Sequence, residues 1–106
     1  MKWFTSEQIA GYEITEQLGT VMGSTIRARH VGKDLMAMLR MLVGGELPEY
    51  TEMMAESREQ SIQRMLDRAE AIGADAVICV RFSTAMVMQA TAEIMAYGTA
   101  VKLRAK

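Results

Sequence analysis

Residues 62–82 read IQRMLDRAEAIGADAVICVRF, and two periodicities meet within them at Gly73. Before the glycine, apolar residues recur at the spacing of one helix face. After it, the period changes to two, with residues 76, 78, 80 and 82 on one face and residues 77, 79, 81 and 83 on the other. Glycine is the residue that commonly terminates a helix. The stretch therefore predicts a helix that ends at Gly73 and leads directly into a strand.

The helix is predicted over residues 48–72. Pro48 suits the first turn of a helix, and Glu49 and Glu52 favour the positive end of the helix dipole. Charged residues cover the outer face of this segment, which we interpret as solvated. The inward stripe is formed by Ile62, Met65, Leu66, Ala69 and Ile72.

Two further strands are predicted on either side of this unit. Residues 12–22 alternate, with Tyr12, Ile14, Leu18 and Met22 on one face. Residues 91–104 form a last strand after a turn around residues 88–90. Small residues on one side of this last strand would let a helix lie close against the sheet; they are Ala96, Gly98 and Ala100.

An additional short helix is predicted over residues 33–43, where strong helix formers are followed by Gly44 and Gly45. It is apolar over much of its circumference. A helix of that kind is usually covered on two sides, and in so small a protein a neighbouring subunit is the simplest cover.

Together these elements predict an α+β fold in which a three-stranded mixed sheet packs on one long helix. The helix can cover only one face of the sheet. The predicted uncovered face is half apolar, which is typical of an interaction surface, and closed cyclic self-association is the commonest way to cover one. The residues predicted there are Val77, Cys79, Met95, Tyr97 and Val101, mixed with Arg81 and Glu93.

Composition limits the class of protein. With 106 residues, the chain is expected to be one domain, residues 1–106. Its net charge is −1 with both signs interspersed, which argues against a surface that binds nucleic acid. No stretch approaches the apolar length that spans a bilayer. The single cysteine excludes an intramolecular disulfide, and we therefore expect a cytoplasmic protein.

Few residues are candidates for a metal site. Cys79 carries the only thiol. The alternative to a metal ligand is a purely structural role as a small buried residue on a strand. His30 is the only histidine and is expected on a surface loop. Met86 and Met88 form a Met-x-Met in a predicted hairpin loop, where thioethers could bind a soft ion. No zinc-type spacing, phosphate loop or catalytic triad is present, so no catalytic residue is proposed.

Several short motifs follow one another in order along nearly the whole chain. They are Phe4-Thr5, Gly11-Tyr12-Glu13-Ile14, Gly19, Val21, Gly23, Asp34, Val43-Gly44-Gly45, Tyr50, Gly73-Ala74-Asp75-Ala76-Val77 and Gly98-Thr99-Ala100-Val101. In these motifs the chain resembles the YbjQ-like family. The resemblance implies a dodecin-like β-α-β-β unit, a ring-shaped homopentamer with extra short strands at the subunit joints, and a heavy-metal-binding label without an established reaction. The chain departs from the family at residues 82–85, where an acidic and aromatic pair often stands.

Three hypotheses remain open at this level. The first is a homo-oligomeric binding protein, not an enzyme, with a metal, metalloid or small ligand held between subunits. The second is an enzyme with an interfacial site made from Asp34, Arg81, Glu93 and Tyr97 of different subunits. The third is a scaffold that presents the rim of the ring to another protein.

Overall fold

A computed structural model of the chain describes residues 1–28, 48–88 and 91–106. The short helix predicted over residues 33–43 lies outside these ranges, as do His30 and Asp34. The described elements confirm the α+β class. They are β1 (Lys2–Trp3), β2 (Tyr12–Ala28), α1 (Pro48–Ala71), β3 (Ala76–Met88) and β4 (Thr91–Ala105).

The strands form one mixed sheet in the order β1-β3-β4-β2. Strand β4 is antiparallel to both β2 and β3, so β2 and β3 run parallel to each other with β4 between them. The three long strands are those predicted from the sequence. The fourth strand, β1, adds only two residues, which pair in parallel with the start of β3.

Helix α1 ends as the sequence predicts. Gly73 has a φ of +82°, and its N–H donates to the Glu70 carbonyl while the Ala74 N–H donates to the Ala69 carbonyl. These two bonds form a Schellman motif, in which glycine takes the left-handed position. Met65, Leu66 and Ala69 are buried as expected. Ile72 is 49% exposed because it lies beyond the last helical residue, so its place on the buried stripe was predicted wrongly.

The core lies between α1 and the sheet, and small residues set its thickness. A Cβ at Gly23 of β2 would overlap the backbone nitrogen of Met65 and the carbonyl oxygen of Ser61, so the helix backbone rests directly on the strand. Ala96 and Ala100 of β4 are fully buried against the same helix. This confirms the prediction that small residues on β4 allow a close approach.

Four register shifts break the alternation that the sequence suggests. In β2 they lie between Ile14 and Glu16 and between Gln17 and Gly19. Each adds one unpaired residue to β2, so the second shift restores the alternation that the first one changes. Val21 packs against α1 and is buried, whereas Met22 and Tyr12, on the opposite face, are 41% and 47% exposed. Tyr12, Ile14 and Met22 share one face, as predicted, because the two extra residues together restore the alternation. The prediction was wrong for Leu18, which packs with the cluster under α1.

Strand β3 has a shift between Ile78 and Arg81, with Cys79 at a φ of +55°. As a result Val77 and Val80 both pack against α1, while Ile78 joins a second cluster on the opposite face of the sheet. The predictions that Val80 shares a face with Ile78, and that Val77 lies on the uncovered face, were wrong for this reason. The fourth shift, between Met86 and Met88, comes next to the hairpin end.

Within the described residues, no helix has the length and apolar character needed to cross a membrane.

Candidate functional site

Cys79 sits on the β3 bulge beneath the N-terminal segment. Its N–H donates to the Ser6 carbonyl at 3.1 Å, and its Sγ lies 3.8 Å from the same oxygen. The thiol is free and half-buried. It packs beside the second apolar cluster, in which Ile78 and Val101 are buried. The Cys79 side chain is thus less buried than expected for a purely structural strand residue, and it is not fully exposed to solvent as an accessible metal ligand would be.

The N-terminal segment covers the outer edge of β3 only as far as this bulge. The Phe4 N–H donates to the Val77 carbonyl, and the Val80 N–H donates to the Phe4 carbonyl. The guanidinium of Arg81 donates to the Thr5 carbonyl at 2.9 Å and to the Val80 carbonyl at 2.9 Å. Arg81 therefore fixes the N-terminal segment to the strand.

The residues proposed for an interfacial active site are only partly brought together. Arg81 is the register partner of Tyr97, so the two are neighbours across β3 and β4. Glu93 lies four residues from Tyr97 on β4, about 13 Å along an extended strand. Asp34 is outside the described residues. One subunit thus offers an arginine beside a tyrosine, and the arginine is already bonded to backbone carbonyls.

Met86 and Met88 belong to β3 and not to a hairpin loop, which corrects the sequence-based expectation. Met86 pairs with Ala92 and Met88 with Thr91, and a register shift separates the two pairs. The side chain of Met86 is 70% exposed. Residues 82–85, at which the chain departs from the family pattern, likewise lie inside the strand.

A metal site does not assemble within the described part of one chain. Met86 lies seven positions after Cys79, which is about 23 Å along an extended strand. The described residues also contain no group of three or more His, Cys, Asp or Glu placed to hold an ion.

One open groove was not predicted from the sequence. It has a volume of about 560 Å³ and lies at the end of the sheet where β2 begins, lined by Ile9, Tyr12, Glu13, Ile14 and Lys106 among others. Beside it, the Glu13 carboxylate accepts a hydrogen bond from Arg104 at 2.7 Å. No periodic signal marks this groove, because it is formed by a turn and a chain end that meet only in the fold.

The most extensive feature is the bare second half of β3. Residues 81–86 are all exposed, because α1 leans towards β2 and β4 and leaves this part of the strand without cover. Phe82, 40% exposed, meets Trp3 edge to face with ring centroids 6.3 Å apart. We call residues 81–86 the bare segment of β3.

Comparison with known proteins assigns the family. A family model described as "Putative heavy-metal-binding" matches residues 1–104. The chain belongs to this family. It is 60% identical over 99 residues to a UPF0145 protein of Methanosarcina acetivorans, covering 93% of each chain. It is also 59% identical over 99 residues to a UPF0145 protein of Thermus thermophilus, covering 93% of this chain and 87% of that one.

A solved structure shows the same fold. It is that of a protein of unknown function from Pediococcus pentosaceus, described as belonging to the DUF74 family. The TM-score is 0.68 with 96% of each chain covered, at 16% sequence identity. This comparison and the family match confirm the resemblance to YbjQ-like proteins and the α+β architecture.

Proposed function

We propose that the protein acts in the cytoplasm as a ring-shaped homo-oligomer that binds a soft metal or metalloid ion where subunits meet, and that it is not an enzyme. Five is the subunit number that the family resemblance implies. The single observation that carries the proposal is the bare segment of β3, which is exposed on both faces of the sheet. In an isolated subunit this segment stays exposed to water, whereas in an assembly a neighbouring copy would cover it.

The dimensions of the subunit support assembly. The Cα radius of gyration is 17.4 Å, against about 13 Å for a compact chain of about 100 residues. The accessible surface is 7187 Å², against about 5,900 Å² for a monomer of this mass.

The separation of the soft ligands supports a site between subunits. Cys79 and Met86 of one chain are too far apart to bind one ion, but each lies on or beside the bare segment that a neighbour would cover. Thiolate and thioether ligands select soft ions such as monovalent copper. The family's heavy-metal description agrees with that chemistry.

Native mass spectrometry of untagged protein tests the assembly and the ion together. We expect a single oligomer with retained metal, or one that takes up monovalent copper when titrated anaerobically against a competing chelator. Cys79→Ser should keep the oligomer and weaken copper binding at least tenfold. Met22→Leu, which removes an exposed thioether on β2, is the matched control and should bind as wild type. A monomer at micromolar concentration, or unchanged copper binding in Cys79→Ser, contradicts the proposal.

A further inference from the structure

The groove at the start of β2 is held in shape by main-chain hydrogen bonds. Residues 9–12 form a turn in which the Tyr12 N–H donates to the Ile9 carbonyl at 3.1 Å, with Gly11 at a φ of +82°. The Lys106 N–H donates to the Gly11 carbonyl at 3.0 Å, which holds the end of β4 against this turn. The groove volume is about 560 Å³, within the range of about 300–1,000 Å³ that is typical of small-molecule sites.

Apolar side chains form part of the lining. Ile9 and Ile14 are half-buried and pack against the second core cluster, which contains Ile78 and Val101. Tyr12 lines the groove and is 47% exposed, so much of its ring is free to contact a ligand. A planar aromatic molecule suits such a surface, because ring pairs attract each other beyond the area that they remove from water.

The charged groups of the lining differ in what they can still bind. The Glu13 carboxylate already accepts a hydrogen bond from Arg104 at 2.7 Å. The Lys106 ammonium has no ion-pair partner among the described residues, and the side-chain amide of Gln8 has no hydrogen bond to them. The groove therefore offers a ligand one positive charge and one amide donor, whereas its negative side chain is neutralised.

We propose that this groove binds a small planar aromatic carboxylate, with the ring against Tyr12 and Ile14 and the carboxylate at Lys106 and Gln8. Charge complementarity selects the anion, because an amine would face Lys106 and find the Glu13 carboxylate already paired. The apolar lining selects a ring over a sugar. The site goes beyond the proposed ion binding, since neither Cys79 nor Met86 lines the groove, and each proposal can fail without the other.

Ligand-observed saturation-transfer NMR on the full chain tests the site with 2-naphthoate as the probe. The amide 2-naphthamide and the amine 2-naphthylmethylamine carry the same ring without the charge or with the opposite one. A ligand of this size is expected to bind at about the millimolar level. We expect the amide to bind about threefold more weakly than 2-naphthoate, as for the loss of an exposed charge pair, and the amine more weakly still.

Two variants locate the binding site within the chain. Tyr12→Ala should weaken 2-naphthoate binding at least fivefold, because it removes the aromatic contact. Lys106→Gln should weaken it about threefold and abolish the preference for 2-naphthoate over the amide. The matched controls are Lys102→Gln, an exposed lysine of the same strand, and Ile72→Ala, an apolar position that is 49% exposed. Neither control residue lines the groove, and both variants should bind as wild type.

Arg104→Ala tests the charge argument from the other side. It releases the Glu13 carboxylate, so the preference for 2-naphthoate over the amine should fall. The proposal is overturned if wild type shows no 2-naphthoate binding at about 10 mM, if the amine binds more tightly than the acid, or if Lys106→Gln retains the wild-type preference. Because Lys106 is exposed, this last comparison decides the matter even where Tyr12→Ala fails to fold by circular dichroism.

Discussion

At the scale of single residues, the spacing between helix and sheet depends on Gly23. A side chain at this position has no space, because the opposing atoms belong to the backbone of α1 and cannot rotate away. Ser57 and Ser61 extend the same close contact along the helix, and both are buried. Their hydroxyls donate to the Met53 and Arg58 carbonyls of the helix, so small polar residues fit here without unpaired groups.

Gly23→Ala is therefore expected to destabilise the fold by about 2 kcal/mol or more, as in overpacked cores. Urea unfolding followed by circular dichroism measures the loss. Ser24→Ala is the control, since Ser24 is the next residue and its half-buried side chain points away from the helix. Equal stability of the two variants would show that the helix can move off the strand at no cost.

Thr25 differs from Ser57 and Ser61 in that its buried hydroxyl is unpaired within the described part of the chain. It is 3% exposed, and its Oγ1 has no hydrogen-bond partner among the described residues. A buried hydroxyl without a partner costs about 1–3 kcal/mol. Thr25→Val keeps the shape and removes the hydroxyl, so we expect it to raise the free energy of unfolding by about 1 kcal/mol.

The control for this prediction is Thr20→Val on the same strand, where the threonine is exposed and water satisfies the hydroxyl. Denaturant unfolding should show no gain there. A loss of stability in Thr25→Val would mean that the hydroxyl has a partner in solution.

At the scale of elements, the N-terminal segment, the β3 bulge and Arg81 act as one unit. The bulge turns the Cys79 and Val80 N–H groups towards the segment, and Arg81 binds the segment from the other side. This unit decides how far β3 is protected at its outer edge, and hence where the bare segment begins.

Arg81→Ala should release the segment. We expect a loss of about 1–2 kcal/mol, since hydrogen bonds from charged donors contribute about 1.5–3 kcal/mol and this one is exposed. Hydrogen exchange should accelerate at the Cys79 and Val80 amides. Arg104→Ala is the control: its ion pair with Glu13 is 68% and 52% exposed, so its loss should cost less than about 1 kcal/mol. Unchanged exchange in Arg81→Ala would contradict the role given to Arg81.

The sequence predicted where the helix and the strands lie better than it predicted which side chains of each strand face the helix. Helix α1 and its glycine end followed from apolar spacing and cap chemistry, which are local. The positions of Val80 and Leu18 did not, because a bulge depends on hydrogen bonds to other strands and leaves no periodic mark. Met86 was expected in a loop because its neighbourhood is weakly patterned, yet pairing with β4 keeps it in a strand.

The candidate site was less predictable than the fold. Cys79 could be singled out as the only thiol, but its contact with the Ser6 carbonyl joins residues far apart in sequence. The bare segment of β3 could not be inferred either. It depends on where α1 lies over the sheet and on how far the N-terminal segment runs, and both are tertiary properties.

At the scale of the whole molecule, the described structure measures 55 × 24 × 16 Å, so most of it is one helix layer on one sheet layer. If assembly covers the bare segment, stability should depend on protein concentration, because mass action favours the folded oligomer. We expect the thermal midpoint of the wild type to rise across a hundredfold concentration series. A variant that carries both Phe82→Lys and Thr84→Lys should show a lower midpoint that does not change with concentration. A concentration-independent midpoint for the wild type would argue that the subunit is stable alone.

The β3 bulge also has a consequence for insertions and deletions. From Ile78 to Arg81, β3 advances by three residues. The paired stretch of β4, from Thr99 to Tyr97, advances by two. Removing Cys79 would equalise the two counts and leave Val80 and Phe82 on the faces they occupy now. The thiol is thus carried by a supernumerary residue in a backbone conformation that glycine adopts more easily. A chain one residue shorter at this point could form the same sheet, and what it would lose is the thiol and its bond to the N-terminal segment.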